Sequence, residues 1–417
     1  MHNAEEQVYS LSMQITATIL HSTADKIESS HFWRMNYKTV HLQQRANTLI
    51  QTPGTDQRSV LVIYTGGTFG MVYDPQADQL IPFDFERVFE RLPELHRLNL
   101  NITLITLAVI LDSSNMKPAV WIELAHLIEA NYEQYDSFVI LHGTDTMAYT
   151  ASALSFMLEG LNKPVLLTGA QLPIGVPRTD ARENFITALE IAAEVDTAAV
   201  DAANVEMTGL STVRQPLVSE VCIYFNSLLL RGNRSTKQES VQFNAFSSEN
   251  YPHLATAGVS IDYNRPYIRP YQPDQTLRIR TELNPNVTIL KLFPGITQPV
   301  VESILESPAL RGVVLETFGA GNAPTDGWFL EALKRAIDRG ILIINVSQCE
   351  GGRVTQGRYQ TSKYLEQIGV VSGADITTEA AITKLMVLLG QELDRDPAAM
   401  SRLQKRLAQP MMGEMSE

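Results

Sequence analysis

Apolar residues along the chain fall into short unbroken runs separated by stretches of helical spacing. Val60-Leu61-Val62-Ile63-Tyr64 has no polar alternation, which is the pattern of a strand covered on both faces. Ser137-Phe138-Val139-Ile140-Leu141 and Pro164-Val165-Leu166-Leu167 repeat it, and between them Met147, Ala151, Leu154 and Leu158 follow helical spacing. Strand, helix and strand within about 30 residues form a βαβ unit and predict a parallel sheet. Val221–Leu230 reads as one further strand, closed by a Gly232-Asn233 turn. Residues 263–286 hold four prolines and several charges without periodicity, the composition of a linker. Alternation resumes with strands over Val287–Leu292, Gly312–Leu315 and Ile341–Val346, and a helix near Trp328–Arg339. A final helix starts near Thr377, whose hydroxyl suits an N-cap and is followed by Glu379 in the first turn. The prediction is two α/β domains with parallel sheets: 59–262, a linker at 263–286, and a smaller domain at 287–417. Residues 1–58 are polar and poor in glycine, end in the turn-rich Thr52-Pro53-Gly54-Thr55-Asp56, and read as an extension with a short helix around Tyr9–Ile27.

Composition narrows the function classes. The 417 residues, 44% hydrophobic and 19% charged, are enough to bury a sizeable core without staples. A formal charge of −13 argues against nucleic acid or an anionic membrane as partner, since both require clustered Lys and Arg. The only two cysteines, Cys222 and Cys349, make neither a secreted disulfide framework nor a zinc spacing. No apolar run approaches the ~20 residues of a bilayer span, and no secretory leader pattern stands at the N-terminus. The expectation is a cytoplasmic protein acting on small molecules, with no metal or organic cofactor.

Candidate chemistry lies where predicted strands end. Thr65-Gly66-Gly67-Thr68-Phe69-Gly70 follows the first strand, at the edge of an open parallel sheet where ligands bind. Its spacing is neither G-x-G-x-x-G nor G-x-x-x-x-G-K-[ST], so both nucleotide readings fail, and a plain tight turn remains the alternative. His142-Gly143-Thr144-Asp145-Thr146 also follows a strand, and there Thr144 or Asp145 is equally suited to capping the next helix. The pairing matters most: two threonine loops at one sheet edge flank a common cleft. A threonine hydroxyl is a weak nucleophile and needs a base. No G-x-S-x-G elbow or H-E-x-x-H site is present, and His142 is read as structural. A lysine takes the base role when its pKa is lowered by burial, and Lys237 is a candidate in the loop after the Val221–Leu230 strand, against the plainer reading of a solvated charge. Asp112-Ser113-Ser114-Asn115 is either an ordinary Asp/Ser turn or a cradle for a carboxylate.

Six ordered blocks then carry a resemblance: TGGTFGM at 65–71, LDSSNM at 111–116, ILHGTDTMAYTASALSFML at 140–158, KPVLLTGAQLP at 163–173, RGNRSTK at 231–237 and GAGNAP at 319–324. In this order they resemble the asparaginase/glutaminase family, and within it the bacterial type I, cytoplasmic-type branch. The resemblance spans about residues 59–391 and implies a larger N-terminal flavodoxin/Rossmann-like domain followed by a smaller α/β domain. It implies hydrolysis of asparagine to aspartate and ammonia, with Thr68 as nucleophile. Thr144, Asp145 and Lys237 would form a second catalytic set, and Asp112, Ser113 and Ser114, with Thr144 and Asp145, would hold the substrate. Asn322 would reach the site of a neighbouring subunit in a homodimer or homotetramer. Direct attack by water near Thr144 is the alternative chemistry.

Three positions depart from the family. Where relatives place a tyrosine on a flexible loop after TGGT, this chain has Leu80, with Tyr73 nearby. Where some type I enzymes use an arginine to sense asparagine, it has Glu316, so that form of allosteric activation is expected to be absent or altered. Residues 194–217 are longer than the connection expected and read as a surface insertion. Two competing functions are an amidotransferase subunit that releases ammonia for a tRNA-dependent partner, and an inactive amino-acid sensor.

Overall fold

The computed structural model of the chain describes residues 38–42, 57–74, 79–82, 92–196, 215–357, 360–392 and 397–417. The expected helix around Tyr9–Ile27 and most of the 194–217 insertion lie outside the described residues.

The first sheet is built from β1 (Lys38–Leu42), β2 (Ser59–Gly66), β5 (Asn101–Leu111), β6 (Ser137–Leu141), β7 (Val165–Thr168), β8 (Val221–Phe225), β9 (Leu228–Arg231), β10 (Ala255–Ala257) and β11 (Ile261–Tyr263). A short hairpin of β3 (Met71–Asp74) and β4 (Gln79–Pro82) stands apart from it. Strand order is β1-β5-β2-β6-β7-β8-β9-β10-β11. The five consecutive strands β5-β2-β6-β7-β8 are parallel, and the expected parallel sheet is extended at both edges by antiparallel strands. Within the parallel part, the second strand in sequence lies on one side of the first and the third on the other, so the order reverses at β2. In this doubly wound arrangement, ligands sit beyond the strand carboxyl ends at that reversal.

The continuous apolar runs follow from burial on both faces. Val60, Val62 and Tyr64 of β2 pack into one cluster with Phe185 and Leu189 of α3 (Ala181–Ala193). Leu61 and Ile63 point into another with Trp121 of α1 (Pro118–Asn131) and Leu154 of α2 (Met147–Met157). Each such fully buried side chain contributes roughly 1.5–3 kcal/mol.

The second sheet has the order β12 (Val287–Lys291), β13 (Gly312–Thr317), β14 (Leu342–Ser347) and β15 (Val371–Ser372), all parallel. Helices α4 (Gln298–Leu305), α5 (Gly327–Asp338) and α6 (Gln360–Ile368) precede α7 (Thr378–Gln391) and α8 (Pro397–Leu407). Thr377 caps α7 as expected, accepting from the Ala380 N–H at 3.2 Å. Leu385 and Leu388 of α7 join the same core cluster as α2, so one face of each sheet shares a core.

Two expectations need correction. Val221–Leu230 is a hairpin, because Asn226 and Ser227 both adopt positive φ, 46° and 67°, and turn the chain between β8 and β9. The helix at Thr377 is not the last, since α8 follows and buries Ala399, Leu403 and Leu407 at four-residue spacing. Within the N-terminal extension, Lys38–Leu42 pairs antiparallel with β5.

Candidate functional site

The glycines after β2 bring three loops together. Gly66 and Gly67 take φ of 130° and 86°, and Gly67 N–H donates to Leu111 O at 3.1 Å. A Cβ on Gly67 would lie 2.5 Å from Gly143 Cα, and one on Gly143 would lie 2.6 Å from Ser113 Oγ. No side chain fits at either glycine, so the loops after β2, β5 and β6 touch at the reversal of strand order. Thr68 opens the next turn, half-buried between Gly67 and Phe69. Phe69 anchors that turn edge-on against Phe185, with centroids 5.6 Å apart.

Thr144 and Asp145 cap nothing, in contrast to the capping alternative. They face Lys237, whose Nζ donates to Thr144 Oγ1 at 2.8 Å and to Asp145 Oδ1 at 2.6 Å. Lys237 reaches them from a two-residue strand, Thr236–Lys237, paired with Phe246–Ser247. Its side chain is only 15% exposed against 63% for Asp145, so the solvated reading of this lysine does not hold.

The Asp112 segment shows turn chemistry. The Asp112 carboxylate accepts from Ser114 N–H and Ser114 Oγ, each at 2.9 Å, and these bonds lower its pKa. Ser113 is buried against Gly143, and its carbonyl accepts from Thr146 Oγ1 at 2.8 Å. That bond joins the second and third loops. Asn322 lies elsewhere, on the loop after β13, where its N–H donates to Phe318 O at 2.9 Å. Tyr73 and Leu80 are opposite one another in the β3–β4 ladder. Glu316 is buried at the end of β13, accepting from Thr378 Oγ1 at 2.7 Å and paired with Lys291 Nζ at 3.2 Å. Beside it, burial raises the pKa of Glu379, which accepts from Thr236 Oγ1 at 2.6 Å.

His142 is wholly buried, and its partners define its tautomer. Nδ1 lies 2.7 Å from Gly143 O, a pure acceptor, so Nδ1 carries the proton. Nε2 then accepts from Thr150 Oγ1 at 2.9 Å, and Thr150 accepts from Trp121 Nε1 at 3.0 Å. This chain steadies the Gly143 peptide. Burial also lowers the His142 pKa to about 4 from an ordinary 6.5. An unfolded chain therefore takes up this proton near pH 6.5 and the folded one only near 4. The stability contribution is complete above pH 6.5 and is lost as pH falls toward 4, by about 3 kcal/mol. Unfolding midpoints of wild type and His142→Gln should diverge less at pH 4.5 than at pH 7, and equal pH slopes would exclude this role.

Sequence reasoning missed Gln171. It follows β7 at the same sheet edge, and its Oε1 accepts from Thr144 Oγ1 at 3.2 Å. Its block stands in the motif series, yet nothing in its spacing separates Gln171 from an ordinary loop glutamine. Among the described residues, no group of three or more His, Cys, Asp or Glu is placed to hold a metal ion, and no helix is long and apolar enough to cross a membrane.

Fold and site together define an α/β protein with a Thr–Lys–Asp constellation at the ligand crevice of a doubly wound sheet. The family profile described as Asparaginase, N-terminal matches residues 59–269, and that of the Glutaminase/Asparaginase C-terminal domain matches 286–402. The chain belongs to the asparaginase family. It is 38% identical to L-asparaginase 1 of Escherichia coli over 361 residues, covering 86% of this chain and 98% of that protein. It is also 34% identical to a Glutamyl-tRNA(Gln) amidotransferase chain of Methanopyrus kandleri, covering 81% of this chain and 71% of that one. Among solved structures, L-asparaginase I from Vibrio cholerae superposes with a TM-score of 0.75 at 36% identity, over 87% of this chain and all of that one.

Proposed function

We propose that the chain is a cytoplasmic L-asparagine amidohydrolase that acts without a partner enzyme. The observation that carries this reading is the contact of Lys237 Nζ with both Thr144 Oγ1 and Asp145 Oδ1, in a loop packed on the one that bears Thr68. The exposed Asp145 carboxylate pairs with the substrate α-ammonium, and Ser113 with neighbouring N–H groups takes the α-carboxylate. Requiring both charges selects a free amino acid, because a ligand lacking either leaves a desolvated group unpaired.

Thr68 Oγ1 attacks the side-chain amide carbon. The C–N bond breaks, the nitrogen leaves as ammonia carrying the threonine proton, and a β-aspartyl ester remains on Thr68. Hydrogen-bond donors around Thr144 hold the oxyanion. Water held at Thr144, polarised by Lys237, then adds to the ester, releasing aspartate and returning the proton to Thr68. Asn322 of a neighbouring copy completes the pocket in a homodimer or homotetramer.

The test is ammonia release by the purified chain alone from asparagine and from glutamine. Turnover of asparagine without any added protein is expected. Turnover only with an added tRNA-dependent partner would favour the amidotransferase reading, and binding without turnover the sensor reading.

A further inference from the structure

Gln171 is held at both ends of its carboxamide and along its backbone. The backbone N–H groups of Gln171 and Leu172 donate to Asp180 at 2.9 and 3.0 Å, which fixes where the side chain starts. The amide nitrogen faces two backbone carbonyls, Ser240 O at 3.2 Å and Gln242 O at 3.0 Å. Carbonyls only accept, so the NH2 end of the amide must lie on that side and the Oε1 end must face Thr144. Oε1 can only accept. The hydroxyl of Thr144 therefore donates its single proton to Gln171, and its oxygen must accept from Lys237, which donates as an ammonium.

We propose that Gln171 is a positioning residue for Thr144, setting the hydroxyl rotor so that the lone pairs face Lys237 and the substrate side. This rests on Thr144 belonging to the catalytic machinery. Without Oε1, the Thr144 proton is free to turn toward the Asp145 carboxylate. The oxygen then no longer presents a lone pair to water held beside it. The Ser240–Gln242 backbone supplies the reference that keeps the amide from flipping. The same side chain thus links the loop after β7 to the exposed loop that follows Lys237.

The experiment compares kcat, KM and thermal midpoint for asparagine among wild type, Gln171→Met, Gln171→Glu and Thr144→Val. Gln171→Met loses the acceptor and both donors, and its kcat is expected to fall by about tenfold or more with KM within about twofold. Gln171→Glu loses the donors but keeps an acceptor oxygen for Thr144. Its kcat should stand well above that of Gln171→Met, and protonation of the new carboxyl should not lower it to that level, because the acid keeps a carbonyl acceptor for Thr144 and gains an O–H donor toward Ser240 O and Gln242 O. A residue that merely straps two loops predicts otherwise, with both variants dropping equally and in step with thermal midpoint. That result, or a Gln171→Met kcat within about twofold of wild type, overturns the proposal. If Thr144→Val retains activity, the assignment of Thr144 itself fails. If Thr144→Val is inactive and Gln171→Met is not impaired, only the role of Gln171 fails.

Discussion

Thr68→Ala is expected to lower kcat for asparagine by about ten-thousandfold or more, equivalent to roughly 5.5 kcal/mol of barrier, with little change in thermal midpoint. The size of the loss follows from the proposed covalent step: without Oγ1 no ester forms, and only substrate binding and oxyanion stabilisation remain. KM should change little, because the groups proposed to hold the substrate charges, Asp145 and Ser113, stand on the other two loops. Stability should also change little. Thr68 is half-buried, whereas its turn is anchored by Phe69 against Phe185 and by the glycine contacts to Leu111 and Gly143. Thr68→Ser keeps the hydroxyl but loses the methyl that restricts χ1, so an intermediate loss of about tenfold is expected. Steady-state ammonia release and a search for a covalent β-aspartyl adduct by mass spectrometry check both variants. A Thr68→Ala enzyme keeping more than a few per cent of wild-type kcat would move the chemistry to water attacking directly beside Thr144.

The parts legible in the sequence were those whose physics is local or repetitive. Both-face burial makes β2, β6 and β7 read as unbroken apolar runs, and Thr377 is recognisable as a cap because its hydroxyl is followed by a helical pattern. Gly66 and Gly67 were conspicuous because only glycine tolerates both their positive φ and the approach of Leu111 to the first and Gly143 to the second. The adjacency of Thr144 and Lys237, 93 positions apart, came from the family resemblance, since no periodicity encodes it. What stayed hidden depends on partners distant in sequence or on atypical residues. The β8–β9 turn uses Asn226 and Ser227 where a glycine would have announced it. The α8 helix carries only a narrow stripe of Ala399, Leu403 and Leu407 amid polar residues. Gln171 acquires meaning only when the carbonyls of Ser240 and Gln242 arrive opposite its amide.

A second large effect is expected far from the threonines. Lys384→Met should destabilise the protein by about 3–5 kcal/mol, because it leaves the Glu414 carboxylate buried without its counter-charge. Both side chains are fully buried, with Lys384 Nζ 2.7 Å from Glu414 Oε1. The ammonium also donates to Leu407 O at 3.0 Å and Gln409 O at 2.6 Å, while Glu414 accepts from the Met411 and Met412 N–H groups at 3.0 and 2.8 Å. Burial lowers the Lys384 pKa even with Glu414 opposite, so desolvation outweighs the attraction. The pair is therefore costly to break and contributes little net stability. A Lys384→Met/Glu414→Gln double variant removes both charges while keeping an acceptor for the two N–H groups, and should regain most of the loss. The consequence reaches the site through the chain segment that Glu414 folds: Met412 O accepts from Asn233 Nδ2 at 3.1 Å and Gly413 O from Arg234 Nε at 2.7 Å, in the same RGNRSTK segment that ends at Lys237. Unfolding midpoints and inactivation rates of the single and double variants decide the matter. If the double variant is as unstable as Lys384→Met, the loss comes from the lysine's bonds to Leu407 and Gln409, and an unpaired carboxylate is not its cause.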